Sequence, residues 1–131
     1  MEQIGMDRDQ LTLKLGNKIA KDVGKRKSDW QHIVMVGRFE DDDPSMKGFA
    51  YLSSGTAEPI APMDFDIFDV LTELRQAMAA EDGGDPWLVA LFRIDRSSGE
   101  LNGEFEYDDP ERWTITLKNS KDRAKEFRPT K

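Results

Sequence analysis

Residues 87–109 read WLVALFRIDRSSGELNGEFEYDD, and this stretch decides the fold. Residues 87–95 are almost entirely apolar, which predicts a strand that is buried on both faces and lies at the centre of the sheet. The four residues that follow, RSSG, predict a turn. From Leu101 to Tyr107 apolar or small residues alternate with polar ones, as in a strand with one buried face. The stretch therefore predicts an antiparallel hairpin.

Two upstream segments carry the apolar periodicity of amphipathic helices. The stripe of the first consists of Leu11, Leu15, Ile19 and Val23, and that of the second of Ile67, Val70, Leu71, Leu74 and Met78. The first helix is predicted to begin at an Asp7 or Asp9 cap and to end at Gly24. The second is predicted to begin at an Asp64 or Asp66 cap and to end in a glycine-containing loop.

A second hairpin is predicted from residues 30–39 and 47–53. The sequence DDDP at 41–44 separates these strands, and we expect a loop longer than the tight two-residue kind. Residues 58–62 predict a short strand that two prolines confine to an edge. Residues 113–117 predict a last short strand or the start of a helix.

This order of elements predicts an α+β protein, because hairpins flank a helix. We expect a two-layer sandwich with a mainly antiparallel sheet of four to five strands and helices packed on one face. The 131 residues form a single domain in this interpretation, which is long enough to bury a core. That core spans about residues 10–117, and the basic tail at 118–131 is helical or frayed.

Composition predicts a cytoplasmic protein. The chain has no cysteine, which fits a reducing compartment and excludes disulfides and zinc–sulfur sites. The first nine residues lack the pattern of a secretory signal, and no apolar run is long enough to span a membrane. The formal net charge is −7, and residues 29–111 carry twenty acidic and only five basic side chains. So acidic a body repels nucleic acids and anionic membranes, and neither is expected as a partner.

The sequence carries no signature of an enzyme. It has no cysteine and a single histidine, His32, so that cysteine-based triads and histidine-rich metal sites cannot form. In the middle of a strand, His32 is more typical of a structural residue than of a catalytic one. Glu104 and Glu106 share one strand face and could in principle act as an acid/base pair, but such a pair is more typical of a solvated surface. Adjacent side chains at 41–43 rarely converge on a cation. We therefore expect no catalytic residue, no metal and no cofactor.

Acidic residues instead cluster at loop and edge positions beside aromatic side chains. The clusters lie at 40–43, 81–85 and 104–111, close to Phe39, Trp87, Phe105, Tyr107 and Trp113. Aromatic anchors inside an acidic rim suit a surface that attracts and then holds a basic protein. The alternatives are that these aromatic side chains are core residues, as we expect for Phe105 and Tyr107, and that the acidic residues only favour solubility. The predicted contact residues are Asp41, Asp42, Asp43, Glu104, Glu106, Asp108 and Asp109.

The layout also resembles a known family. An amphipathic helix leads into a strand that starts at Trp30, and a helix ending in a Leu-x-x-x-Met motif precedes the apolar strand at 87–95. A Gly turn and the ending EFEYDD at 104–109 follow. Over about residues 10–115 this arrangement is similar to the YezG-like immunity proteins of bacterial polymorphic and contact-dependent toxin systems. The basic tail after Trp113 departs from the family pattern, in which a further tryptophan-containing segment is common.

The resemblance implies a non-enzymatic antitoxin that binds its cognate toxin domain in the cytoplasm. Such toxins are often basic nucleases, which an acidic inhibitor would complement. We accordingly expect an immunity protein, monomeric or homodimeric, whose partner is a basic toxin C-terminal domain. The alternative is a small acidic regulatory domain that binds a protein unrelated to toxins.

Overall fold

The computed structural model describes residues 7–128. It contains three helices and five strands: α1 (Arg8–Gly24), β1 (Trp30–Glu40), β2 (Asp43–Leu52), β3 (Ala57–Ile60), α2 (Asp66–Asp82), β4 (Val89–Asp95), β5 (Leu101–Glu106) and α3 (Ser120–Phe127). The five strands form one open antiparallel sheet. The predicted α+β class with a mainly antiparallel sheet is confirmed.

The strand order is β3-β2-β1-β4-β5, so β1 is the central strand. The prediction that residues 87–95 form the centre is wrong by one position, because β1 pairs with both β2 and β4. β4 is nevertheless interior, and its apolar side chains are buried on both faces as expected. An apolar run indicates that a strand is buried on both faces. Both the central strand and the interior strand beside it are buried in this way, so the run alone does not identify the centre of the sheet.

The β1–β2 hairpin turns more tightly than predicted. Glu40 pairs with Asp43, which leaves only Asp41 and Asp42 in the loop. Asp41 has φ 58°, the left-handed conformation that a short hairpin loop requires and that aspartate tolerates better than most residues. The expectation of a longer loop was therefore wrong.

The helix ends agree with the sequence pattern in part. Asp7 caps α1 and forms a capping box with Gln10. The cap at the other end is Lys25 in right-handed conformation, so Gly24 does not have the predicted role. The N-cap residue of α2 is Phe65, so neither Asp64 nor Asp66 has the predicted position, although the Asp64 carboxylate accepts the backbone N–H of Asp66 at 3.0 Å. Gly83 ends that helix in left-handed conformation.

α1 and α2 pack on one face of the sheet and bury the predicted stripes. Leu15 and Ile19 of α1 and Leu71 and Leu74 of α2 are completely buried there. Burial of a side chain of this size stabilises the fold by about 1.5–3 kcal/mol. This face holds the main core.

The opposite face of the sheet is covered by the C-terminal segment. Trp113, Ile115 and Phe127 pack there against a second apolar cluster formed by Val34, Val36, Phe49, Tyr51, Val89 and Leu91. Residues 113–117 form neither the predicted strand nor a helix, while the basic tail supplies α3. The prediction placed helices on one face only and did not foresee this additional layer. Residues 1–6 and 129–131, included in the predicted domain, lie outside the described part.

Within residues 7–128, no helix is long and apolar enough to cross a membrane.

Candidate protein-binding surface

The three acidic clusters of the sequence meet at one end of the sheet. β1 and β5 end there, and β2 and β4 begin there, because all neighbouring strands are antiparallel. The end carries Glu40, Asp41, Asp42, Asp43, Glu81, Asp82, Asp85, Glu106, Asp108, Asp109 and Glu111, which we call the acidic end. Against these eleven carboxylates stand four arginines, Arg8, Arg38, Arg75 and Arg112.

The β1–β2 turn presents the first group of carboxylates. Asp41, Asp42 and Asp43 are all exposed, and the side chain of Asp42 is fully so. The Oδ1 atom of Asp42 lies 3.7 Å from Nη1 of Arg75. Such a wide pair leaves most of the Asp42 charge available to a partner.

Arg75 supports this turn from below. It is buried, its Nε donates a 2.7 Å hydrogen bond to the carbonyl oxygen of Trp87, and its guanidinium lies 4.3 Å from the centre of the Phe39 ring. Burial lowers the pKa of Arg75, and the Asp42 carboxylate partly offsets that effect. The side chain thus ties α2 to the start of β4 and to the end of β1.

Glu106 organises the loop that follows β5. Its Oε1 accepts a 2.7 Å hydrogen bond from Arg112, and its Oε2 accepts the backbone N–H groups of Asp108 and Asp109 at 3.1 and 3.2 Å. The Arg112 guanidinium and these two amides hold the pKa of Glu106 below its ordinary value. Its carboxylate is therefore largely occupied within the chain, whereas Asp108 and Asp109 point into solvent as exposed residues.

Glu104 lies apart from the other predicted contact residues. It is in the middle of β5, opposite Leu91, and its carboxylate pairs with Arg93 of β4. Glu104 and Glu106 share a strand face as predicted, but each is engaged by an arginine. The structure thus gathers Asp41, Asp42, Asp43, Asp108 and Asp109 at the acidic end, with Glu106 as a support, and leaves Glu104 beside that end.

The arginines were missed by inspection of the sequence. Arg75 falls within the apolar stripe of α2, four residues after Leu71 and three before Met78. A cation at such a position predicts a buried charge with a specific partner, and this was the available signal. Arg38 bonds Glu111 at 2.8 Å across a separation of 73 residues, for which the sequence offers no local signal.

Most of the aromatic residues near the acidic clusters belong to the interior. Phe39, Trp87 and Trp113 are buried, and Phe105 packs against the rings of Trp87 and Phe92 as expected for a core residue. Tyr107 is 42% exposed, so the prediction that it is core was wrong. It is the aromatic side chain that the acidic end offers to a partner.

Metal binding and acid/base chemistry are two other functions that carboxylates can have. Among residues 7–128, no group of three His, Asp or Glu side chains is arranged to hold a metal ion. Arg112 keeps Glu106 ionised near neutral pH, which makes it a poor general acid. The arrangement is chemically suited to attracting cations over a broad surface.

No protein-family model matches this chain, and no curated protein matches it either.

Proposed function

We propose that this protein is an immunity protein that binds and neutralises a basic bacterial toxin domain in the cytoplasm. The observation that carries the proposal is the acidic end, where carboxylates far outnumber the arginines that engage them. The resemblance to the YezG-like immunity proteins supports it, since their partners are often basic nucleases.

The acidic end favours a basic partner in two ways. Its summed field attracts a positively charged domain before contact, which raises the association rate and makes it dependent on salt. After contact, each close pair between a carboxylate and a lysine or arginine couples the two proteins by roughly 1.5–7 kcal/mol where water is excluded. Asp42, Asp108 and Asp109 are exposed for such contacts, and Tyr107 beside them adds apolar area.

A substrate-mimicking surface would also explain neutralisation. A nuclease binds a polyanion through lysine and arginine side chains, and a row of carboxylates competes for those groups. The partner bound in this way loses access to its substrate. Tight one-to-one binding is the expected stoichiometry.

A regulatory domain that binds a basic protein unrelated to toxins is the second candidate. The same surface favours it, because charge complementarity selects the sign of the partner and not its activity. The two functions differ in what the partner does to a cell when it is expressed alone.

The test is co-purification followed by co-expression. The tagged protein is isolated from its native cytosol, and co-eluting proteins are identified by mass spectrometry. We expect a basic domain that arrests bacterial growth when expressed alone, and growth that is restored by this chain. A basic partner that leaves growth unaffected would support the regulatory function, and a stable acidic or neutral partner would refute both.

A further inference from the structure

The two edges of the sheet are protected to very different degrees. β3 forms one edge, has four residues and contains Pro59, features that prevent further pairing. β5 forms the other edge, has six residues and contains neither proline nor lysine. The β5 edge is therefore the side on which the sheet can be extended.

The pattern of hydrogen bonds between β4 and β5 shows which backbone groups of β5 point away from the sheet. The amide of Asp95 bonds the carbonyl of Glu100, and the pairing continues in register to Glu106. Alternate residues of β5 consequently bond to β4, and those between them face the edge. The outward N–H and C=O groups belong to Leu101, Gly103 and Phe105, and the turn and loop hydrogen bonds within residues 7–128 do not reach them.

A cleft runs beside this edge, between α1 and the start of β5. It has a volume of about 360 Å³ and is lined by residues that include Leu13, Asn17, Leu101 and Asn102. Leu13 is 63% exposed although it lies on a helix packed against the core. A strand added to β5 would bring every second side chain over this cleft, where an apolar side chain would cover Leu13.

The charge around the edge identifies the occupant. From Ser97 to Glu111 the chain carries six acidic residues and no basic one. Arg93 of β4 engages Glu104 and Arg112 engages Glu106, whereas Glu100, Asp108 and Asp109 are exposed. If the β5 strands of two copies paired antiparallel with Gly103 opposite Gly103, Glu106 of one copy would lie opposite Glu100 of the other. If the register shifted by two residues, Glu104 of one copy would lie opposite Glu104 of the other. Like charges directly opposite destabilise a strand pair, whereas lysine or arginine opposite these positions stabilises it.

We propose that the β5 edge captures an extended, basic strand of the partner protein by β-sheet extension. This inference rests on the proposed function, because it names how the β5 edge, which runs up to the acidic end, holds the same partner. The captured strand alternates: lysine or arginine lies on the strand face of the exposed Glu100, with Asp108 and Asp109 beyond the end of β5, and small apolar residues lie over the cleft beside Leu13. Main-chain hydrogen bonds then supply affinity, and the acidic residues supply the selection.

A pair of variants at Gly103 tests the role of the edge backbone. Gly103→Pro removes the outward N–H and leaves the bonds to β4 intact, as proline at an edge position does. Gly103→Ala is the matched control, since both variants place a Cβ about 3.0 Å from the Phe105 ring but alanine keeps the N–H. We expect Gly103→Ala to retain the co-purified basic partner. We expect Gly103→Pro to weaken binding of that partner about tenfold, because one edge hydrogen bond is lost and the proline ring keeps the partner strand from approaching closely. Equal retention by both variants would overturn strand capture and leave the proposed function standing.

A peptide probe keeps the inference testable without the natural partner. The probe is an eight-residue peptide of alternating lysine and valine, and its control carries N-methyl groups on the valines, which retain the charge but cannot pair as a strand. We expect the probe to slow amide exchange at Leu101, Gly103 and Phe105 about tenfold at saturating concentration and the control to leave it unchanged. Equal binding of both peptides without protection, or no binding of the probe, would overturn strand capture. Protection that rises with protein concentration in the absence of peptide would overturn it in favour of a second copy.

Discussion

Glu106 looks like a free surface acid in the sequence and is a structural acceptor in the fold. Its carboxylate holds Arg112 and the amides of Asp108 and Asp109, so it shapes the loop that exposes two of the candidate contact residues. Its charge is consequently less available to a partner than that of its neighbours. The distinction matters for mutagenesis, because changing Glu106 alters the loop as well as the charge.

The titration of Glu106 provides a first prediction. Because its pKa is lowered in the fold, the contacts that its ionised form makes stabilise the protein at neutral pH and are lost as the pH falls through that lowered pKa. The carboxyl 13C shift of Glu106 should titrate below the ordinary value of glutamate, about 4.3. In Arg112→Gln the midpoint should rise, since the largest cause is removed. An ordinary midpoint in the unmodified protein would contradict the geometry.

Arg75 illustrates a buried cation with a mainly structural function. Substitution by lysine keeps the charge but loses the Nε donor to the Trp87 carbonyl and the planar contact with Phe39. We expect Arg75→Lys to lower the free energy of unfolding by about 1.5–3 kcal/mol, as for hydrogen bonds of charged groups. Urea denaturation measures this change.

Arg8→Lys is the matched control for that measurement. Within residues 7–128, the side chain of Arg8 forms half-exposed ion pairs with Glu81 and Asp82, at 3.9 and 3.8 Å. Its replacement should alter stability by no more than about 0.5 kcal/mol. Similar losses of unfolding free energy in both variants would show that the contacts of Arg75 with Trp87 and Phe39 add no more stability than an exposed ion pair.

At the scale of elements, the C-terminal segment decides how the second face of the sheet is covered. α3 has only eight residues and would be marginal alone, because helix nucleation is costly. It is held by Phe127, which is buried against Phe49, and by the hydroxyl of Tyr51, which donates to the carbonyl oxygen of Ala124 at 2.7 Å. Docking on the sheet therefore stabilises the helix, and burial in this contact raises the pKa of Tyr51 to about 12.

Phe127→Ala tests this dependence. The side chain is 2% exposed, and removal of a buried phenylalanine costs about 3–5 kcal/mol. We expect that loss in thermal or urea unfolding, together with faster amide exchange throughout α3. Leu117→Ala is the control, because Leu117 is fully exposed and its truncation should change stability by no more than about 0.5 kcal/mol. An unaffected α3 in Phe127→Ala would refute the anchoring role.

At the scale of the whole molecule, the excess of acidic residues is largest at one end of the strands. The acidic end lies where β1 and β5 finish. The basic run 25–27, Arg96 and Arg128 lie towards the other end, where Arg26 pairs with Asp22 and Lys27 with Glu58. Arg96 bonds the carbonyls of Ser28 and Trp30, and Arg128 bonds that of Gly55, which places both at the opposite turns. Such an uneven distribution of charge orients a basic partner as it approaches.

Neutralising the acidic end should slow association with a basic partner. In the triple variant Asp42→Asn, Asp108→Asn and Asp109→Asn, asparagine retains the acceptor oxygen, so that the fold is kept while three charges are lost. We expect the association rate at low salt to fall at least about tenfold and its salt dependence to weaken. Surface plasmon resonance with the co-purified partner measures both.

The matched control removes three exposed carboxylates elsewhere, in Asp69→Asn, Glu73→Gln and Asp122→Asn. These residues lie on α2 and α3, away from the acidic end. The control has the same net charge as the triple variant, so its rate should remain within about threefold of the unmodified protein. Equal slowing in both variants would mean that net charge acts and that the acidic end has no special role.

Local patterns in the sequence determined the elements and their buried faces. The stripes of α1 and α2 depend on residues a few positions apart, and the structure buries them as predicted. Along β5 the alternation holds in part, because Leu101 and Phe105 pack against the core whereas Tyr107 is exposed. The three acidic clusters could likewise be read directly, because each is contiguous. The short loop at Asp41 departed from local expectation, since pairing of the flanking strands outweighs weak turn preferences. At the start of α2, Phe65 takes the cap position that the sequence assigned to Asp64 or Asp66.

Only the tertiary structure decided which of these pieces meet. The central position of β1, the layer formed by α3 and the convergence of Asp41–Asp43 with Asp108 and Asp109 all depend on strand order. Strand order follows from pairings between residues far apart in the chain, whose energies come from burial on both faces of the sheet and not from local periodicity. For the same reason, the partners of Arg75 and Glu106 emerged only with the fold, and with them the distinction between carboxylates that support the surface and those that face a partner.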